Sequence, residues 1–201
     1  MSEFFVTEEM ASDRIDQLIE AGNAIGVSPT FVITGNYFPG EREDFERYLN
    51  DHGIEFFSVE EVVRPNHGHI AEELGFDDFV PPIHLWPWAL LVLAIGDQMR
   101  VETGEPIRLR NLYRPMSYNE RVASSGIKSD HPNACGADFD FKSSELRRQA
   151  EALIRDLSDT VPALELSLGM GRRVLHVGVM SPKGSRSWFY KDYPDRRVHL
   201  N

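Results

Sequence analysis

The sequence predicts an α+β fold with room for a packed core. Hydrophobic residues make up 41% of the 201-residue chain, including 12 Phe and 3 Trp, which favours a folded protein over a disordered one. Helix-period patterns at 86–103 and 143–159 alternate irregularly with short two-residue-period patterns at 106–115 and 136–141. The length suits one domain, or one domain with a sizeable extension.

Residues 1–63 predict a small N-terminal α/β extension. A helix is predicted at 7–24, because Thr7 can cap it and acidic residues fill its first turn. A β-rich strand pattern follows at 30–38, and a second amphipathic helix at 41–53 ends at a glycine. The run 54–63 is strand-like. No catalytic cluster is visible here, so we interpret this extension as a packing or docking element.

Residues 64–82 predict a linker, and residues 83–201 a second unit. The linker is rich in turn formers, and its His67 and His69 flank a glycine, which favours exposed loop residues over a metal site. The second unit begins with the apolar helix at 86–103, which has Pro87 in its first turn and is stopped by a glycine.

Further strands and one helix complete the second unit. The run 106–115 alternates as a strand, and the helix at 143–159 can be capped by Ser143 or Ser144. Two strand patterns follow at 163–170 and 172–180. The aromatic run 185–194 suits either a lip over a cleft or a C-terminal strand, and we favour the strand.

Composition excludes several classes of function. The formal charge of −11 argues against a nucleic-acid partner or an anionic membrane, since both reward a basic face. The N-terminus lacks the basic flank and apolar run of a signal peptide, and the longest apolar stretch, 85–96, is too short to span a bilayer. We therefore expect synthesis in the cytoplasm. A single cysteine, Cys135, excludes an intrachain disulfide and is more typical of packing than of ligation or redox chemistry.

The stretch "SDHPNACGADFDF" (129–141) concentrates polar chemistry beside a strand. The two-residue period places Asp138 and Asp140 on one face and Phe139 and Phe141 on the other. The phenylalanines would anchor the strand in the core, and the carboxylates would face a cleft or solvent. His131 precedes the strand in a turn and can fold back over Asp138.

A second histidine lies in the strand "RRVLHVGV". Its parity sends Leu175 and Val177 inward and His176 to the opposite side. Two imidazoles and one carboxylate from separate elements form the ligand set of a catalytic Zn²⁺, with a fourth position open to water. From the residues alone, a histidine in a strand is more often an ordinary packed or surface residue than a metal ligand.

An ordered series of motifs from residue 86 onward resembles the zinc D-alanyl-D-alanine carboxypeptidase family, which also contains phage L-alanyl-D-glutamate endolysins. The helix "LLVLAIGDQMRVETGEPIRL" is similar to the family's helix, T-G and following strand. "YRPMSYN" is similar to Y-R-S-x-x-Y-N, "SDHPNACGAD" to S-x-H-x-x-G-x-A-x-D, and "RVLHVGV" to F-V-H-V-D. The series covers roughly half of the chain and is more specific than any single motif.

The resemblance implies a fold, a site and a reaction. The fold would be an antiparallel sheet flanked by helices, with the metal at one end of the sheet. His131, Asp138 and His176 would bind Zn²⁺, Arg114 would act in catalysis and hold substrate, and Ser129 would hydrogen-bond substrate. The implied reaction is hydrolysis of a peptide bond in peptidoglycan stem peptides.

The chain departs from the family pattern where a general base is expected. Relatives carry an acid three residues before the last histidine or two residues after it, and this chain has Arg173 and Gly178 there. Asp140 and Glu165 are the candidates for the base. Asp140 could instead be the ligand, but the spacing from the first histidine would be two residues too long, so Asp138 is preferred.

Two functions therefore compete. The first, which we favour, is a zinc peptidase whose partner is a stem peptide and whose activity is impaired by the missing base. The second is a non-enzymatic phage tail or virion protein that keeps the peptidase fold. In that case residues 1–63 would dock onto tail or virion proteins, and the protein would be virion-associated.

Overall fold

The protein has a five-stranded, mostly antiparallel sheet with helices packed against it, so the α+β prediction is confirmed. The computed structural model describes residues 5–27, 41–122 and 129–194. The sheet order is β1-β2-β4-β3-β5, and only the β3–β5 pair is parallel. The strands are β1 (Arg108–Asn111), β2 (Gly136–Asp140), β3 (Ser167–Met170), β4 (Val174–Gly178) and β5 (Arg186–Phe189).

The four helices that the sequence patterns predict are present in the described residues, together with three short α-helices that they did not predict. They are α1 (Glu8–Asp13), α2 (Ile15–Ala24), α3 (Arg42–Asp51), α4 (Val59–Val63), α5 (Gly68–Glu73), α6 (Trp86–Thr103), α7 (Met116–Asn119) and α8 (Ser144–Thr160). Thr7 caps α1 as predicted, but the single helix predicted at 7–24 is divided at Arg14. The strand predicted at 30–38 lies outside the described residues. Helix α5 lies within the predicted linker.

The strand predicted at 54–63 is wrong. Residues 59–63 form α4, whose first turn is capped by the Ser58 hydroxyl, which accepts a hydrogen bond from the Glu61 backbone N–H at 3.4 Å. A serine followed three residues later by glutamate is a helix-start signal that outweighs the β-propensity of the valines. Val59, Val62 and Val63 are buried, as the inner face of a short helix requires.

Helix α6 forms the centre of the core and packs against β2 and α8. It ends at Gly104, which adopts a left-handed conformation with φ of 63°, as the sequence predicts. Gly96 allows the helix to approach the sheet, because a Cβ there would lie 2.8 Å from Cε1 of Phe139. One continuous core includes residues from both predicted units, among them Leu18, Phe45, Trp86 and Phe139. The predicted division of the chain into an extension, a linker at 64–82 and a second unit stays a prediction.

The register of β2 against β4 positions the polar side chains. Asp138 pairs with His176, and their neighbours Phe139, Leu175 and Val177 are fully buried. Since side chains alternate across a sheet, the core helices cover one face, and the carboxylate and imidazole lie on the other. In the described residues, no helix is both long and apolar enough to cross a lipid bilayer.

Replacing Ser143 with alanine is expected to lower the free energy of unfolding by about 1 kcal/mol. The Ser143 hydroxyl accepts a hydrogen bond from the Leu146 backbone N–H at 3.3 Å and thereby caps α8. Urea unfolding would measure the loss. The neighbouring Ser144→Ala variant is the control, because Ser144 is the first helical residue. Equal effects of the two variants would argue against the cap.

Candidate metal centre

The three residues predicted as metal ligands come together on the face of the sheet opposite the core helices. His131 lies in a 3-10 turn (His131–Asn133) before β2, Asp138 lies in β2 and His176 in β4. Each offers one ligand atom, and these atoms lie within 4.8 Å of one another. Ligands about 2 Å from one cation in a tetrahedral arrangement are separated by about 3.4 Å, so small side-chain movements would close the site. This group can hold a metal ion.

His131 presents one nitrogen to this centre and anchors the other. Its Nδ1 lies 2.8 Å from the backbone oxygen of Leu112, a contact that requires Nδ1 to carry the proton. Its Nε2 lies 3.2 Å from Oδ2 of Asp138. Burial, aided by the positive charge of Arg114, lowers the pKa of His131, which favours the neutral ring. A neutral imidazole has a single N–H, so Nε2 faces the carboxylate with a lone pair.

His176 bridges two carboxylates. Its Nδ1 lies 2.9 Å from Oδ1 of Asp138, and its Nε2 lies 3.0 Å from Oδ2 of Asp130. Burial opposes a charge on this ring, but the hydrogen bonds to Asp130 and Asp138 outweigh it and raise the pKa of His176 to about 9. The metal-free protein therefore carries an imidazolium here at neutral pH, with both nitrogens donating.

Asp138 lies between the two histidines. Its side chain is 14% exposed and accepts a hydrogen bond from Nη2 of Arg114 at 3.0 Å, besides facing both histidines. Burial alone would raise the pKa of Asp138, but the hydrogen bond and the positive charge of His176 lower it well below the usual range. Asp138 is consequently an ionised carboxylate, as a metal ligand must be.

The two residues predicted to bind substrate lie beside the ligands. Arg114 is buried, and its backbone N–H donates to the carbonyl of His131 at 3.2 Å. The Ser129 hydroxyl accepts a hydrogen bond from the His131 backbone N–H at 3.4 Å. Both therefore help to shape the turn that carries the first histidine, and their roles toward a substrate stay predictions.

The two carboxylates considered as general bases are engaged elsewhere. Asp140 forms ion pairs with Arg110 at 2.7 Å and Arg173 at 3.5 Å. Glu165 accepts a hydrogen bond from Gln17 at 3.1 Å and lies 3.7 Å from Nη1 of Arg14. In the part of the chain that the structure describes, neither carboxylate is hydrogen-bonded to the three ligands. The ion pair between Arg173 and Asp140 also places the positive charge of Arg173 beside a carboxylate that is not one of the ligands.

Sequence reasoning missed Asp130, which contacts His176 directly. Asp130 is buried, and Ser167, Ser181 and Arg186 all donate hydrogen bonds to it. Burial raises the pKa of Asp130, but the hydrogen bonds from His176 and these donors lower it far below its usual value. The sequence signal that could have identified Asp130 is its place directly before His131, but the S-x-H motif allows any residue at position 130.

The aromatic run near the C-terminus contributes to the same surface. It forms strand β5 as favoured, and the ring of Trp188 lies 5.2 Å from the His176 ring. Gly169 makes this possible, since a Cβ there would lie 2.5 Å from Cζ2 of Trp188. Burial, followed by the negative charge of Asp138, raises the pKa of Tyr190, so its phenol stays protonated beside the centre.

Other polar candidates stay outside the centre. Cys135 is a free, buried thiol whose Sγ donates to the backbone oxygen of Asp130, and burial raises its pKa well above the usual value. It is therefore a protonated, packed residue. His69 is exposed at α5, and its ring centroid lies 6.3 Å from that of His67.

No family model, no curated protein and no solved structure matches this chain.

Proposed function

We propose that this protein is a zinc-dependent hydrolase of peptide bonds in peptidoglycan stem peptides. One observation carries the proposal. All four ring nitrogens of His131 and His176 face oxygen acceptors, but the neutral His131 ring and the His176 imidazolium together supply only three protons, so Nε2 of His131 faces Asp138 without one. A cation between Nε2 of His131, Nδ1 of His176 and the Asp138 carboxylate would satisfy this arrangement. The motif resemblance supplies the expected substrate and the carboxypeptidase-like fold.

The donor set favours zinc over magnesium or calcium. Two imidazole nitrogens and one carboxylate suit Zn²⁺, whereas magnesium and calcium prefer oxygen ligands alone. Each histidine also has its outer nitrogen fixed by an acceptor, Leu112 O for His131 and Asp130 for His176. Such outer partners orient metal-binding imidazoles in proteins.

The side chains around the centre have separable roles in the proposed reaction. A bound zinc ion would activate water and polarise the scissile carbonyl. Arg114 uses Nη2 to hold Asp138, and a guanidinium has five N–H donors, so further donors remain for a substrate carboxylate or carbonyl. Ser129 lies at the same turn and can orient substrate. Tyr190, protonated near the centre, can donate a hydrogen bond.

A non-enzymatic virion or tail protein is the second candidate, and one observation favours it. Asp140 and Glu165 are ion-paired away from the centre, and Asp130 is enclosed by its donors. In the described residues, no carboxylate besides the ligand is free to shuttle a proton at the site. A metal centre without turnover would then be structural.

The purified protein is expected to bind about one zinc ion per chain and to release D-alanine from a stem pentapeptide. His131→Ala should abolish both, because it removes the ligand whose Nε2 faces the centre. His69→Ala is the matched control, since His69 is exposed and outside the ligand group. Elemental analysis and an assay for free D-alanine measure the outcomes. Zinc without hydrolysis would favour the structural candidate, and a protein that binds no zinc would end the proposal.

A further inference from the structure

Asp130 is more enclosed than the three ligands it adjoins. Its side chain is 1% exposed. Oδ1 accepts from the Ser181 hydroxyl at 2.6 Å, and Oδ2 accepts from Nη2 of Arg186 at 2.6 Å, Nε2 of His176 at 3.0 Å and the Ser167 hydroxyl at 3.3 Å. These donors come from β3, β4, β5 and the segment between β4 and β5. A buried carboxylate is costly unless its oxygens are hydrogen-bonded, and these four donors also fix the position of the Asp130 carboxylate.

Asp130 is placed to act on His176 and on nothing else at the centre. Its contact is with Nε2, the ring nitrogen that points away from Asp138. The imidazole therefore stands between Asp130 and the metal position, so Asp130 is neither a ligand nor a base for water. Its oxygens are occupied by the hydroxyl, guanidinium and imidazole donors already described.

Two glycines make room for this contact. A Cβ at Gly136 would lie 2.7 Å from Cβ of Asp130 and 2.8 Å from Nε2 of His176. A Cβ at Gly178 would lie 2.9 Å from Oδ2 of Asp130 and would also collide with the Ser167 hydroxyl. Residue 178 is the position where some relatives of the resembled family carry an acid. Here the space beside that position is filled by the Asp130 carboxylate, so the two arrangements exclude each other.

We propose that Asp130 is a positioning residue, which holds His176 with Nε2 protonated and Nδ1 turned toward the metal. A carboxylate that accepts Nε2–H selects this tautomer, fixes the rotation of the ring and increases the basicity of Nδ1. Ser181 and Arg186 in turn fix the carboxylate. The inference rests on the proposed metal site and adds a residue that the ligand motif does not contain.

The Asp130→Asn variant tests the inference with little change of shape. An amide places an NH₂ group against at least one donor among Ser181, Arg186 and His176, so the contact to Nε2 weakens. Zinc affinity, measured by competition with a chromogenic chelator, is expected to fall about 10- to 100-fold. Nitrogen-15 NMR of zinc-bound protein should show Nε2–H of His176 in the wild type and a lost or shifted signal in the variant.

Asp97→Asn is the matched control. Asp97 accepts hydrogen bonds from the backbone N–H groups of Glu55 and Phe56 at 2.8 and 3.3 Å, and it does not touch the centre. Its zinc affinity should equal that of the wild type. An Asp130→Asn protein with wild-type affinity and an unchanged His176 signal would overturn the positioning role while leaving the zinc site intact. A wild type without zinc would instead overturn the proposed function.

A second variant keeps the test decisive if Asp130→Asn does not fold. Ser181→Ala removes the 2.6 Å hydrogen bond to Oδ1 and leaves His176 untouched. A several-fold loss of zinc affinity supports the inference, because Oδ1 would lose its donor and the carboxylate would be held through Oδ2 alone. Unchanged affinity in folded Ser181→Ala protein, judged by circular dichroism, would contradict it.

Discussion

Replacing Asp138 with alanine is expected to abolish zinc binding and to lower the unfolding free energy of the metal-free protein by about 3–5 kcal/mol. Asp138 accepts hydrogen bonds from Arg114 and His176, and its Oδ2 lies 3.2 Å from Nε2 of His131. Its removal leaves the buried guanidinium of Arg114 without its counter-charge, and the buried imidazolium of His176 keeps Asp130 alone. Urea unfolding in the presence of a chelator measures the stability, and chelator competition measures zinc binding.

Asp140→Ala is the comparison for this variant, because Asp140 lies two residues further along the same strand and also pairs with arginines. Its partners are well exposed, with side chains 40% and 54% accessible. The Asp140 side chain itself is 9% exposed, but water can solvate both arginines when it is removed, so Asp140→Ala should be milder and should retain zinc. Similar losses in both variants would mean that the centre is not the source of the effect.

The metal-free protein is expected to lose stability as the pH rises from 6.5 to above 9. The folded pKa of His176 is about 9, above the unfolded value of 6.5, so protonation favours the folded state. This contribution is fully present below pH 6.5, and it is lost as the pH rises through the folded pKa. The shift corresponds to about 3 kcal/mol. Denaturant unfolding at several pH values, with a chelator present, measures it.

His176→Gln separates this effect from other titrations at alkaline pH. The amide cannot ionise, so the variant should lack the His176 part of the pH dependence while retaining that of thiols, phenols and amines. The difference between the two curves is the His176 contribution. Parallel curves for wild type and variant would contradict a stabilising imidazolium between Asp130 and Asp138.

The elements that the sequence predicted well are those with strong local signals. Helix α6 has Pro87 in its first turn and Gly104 at its end, and α8 has the Ser143 cap. The parity of β2 correctly separated Asp138 from the core residue Phe139. These features depend on residues near one another in the chain, so a periodic pattern contains them.

What the sequence could not predict depends on contacts between distant segments. Parity placed Asp140 on the same face as Asp138, but Arg110 from the neighbouring strand neutralises it. Glu165 adopts a left-handed backbone conformation, with φ of 44°, in the turn before β3, and it pairs with Arg14. A local sequence pattern cannot predict ion-pair partners that lie far away in the chain. Asp130 was missed for the same reason, since its donors lie 37 to 56 residues further along the chain.

Strand β5, which pairs in parallel with β3, is the last strand of the described sheet along the chain, so it is synthesised after the other four strands. Arg186 and Trp188, which contact Asp130 and His176, belong to the last strand of the described sheet to leave the ribosome. Until β5 docks, the nascent chain has both histidines and the ligand carboxylate but lacks the guanidinium that fixes Asp130. The contacts that fix Asp130 therefore depend on β5, and a chain truncated before β5 would lack Arg186 and Trp188 at the metal centre.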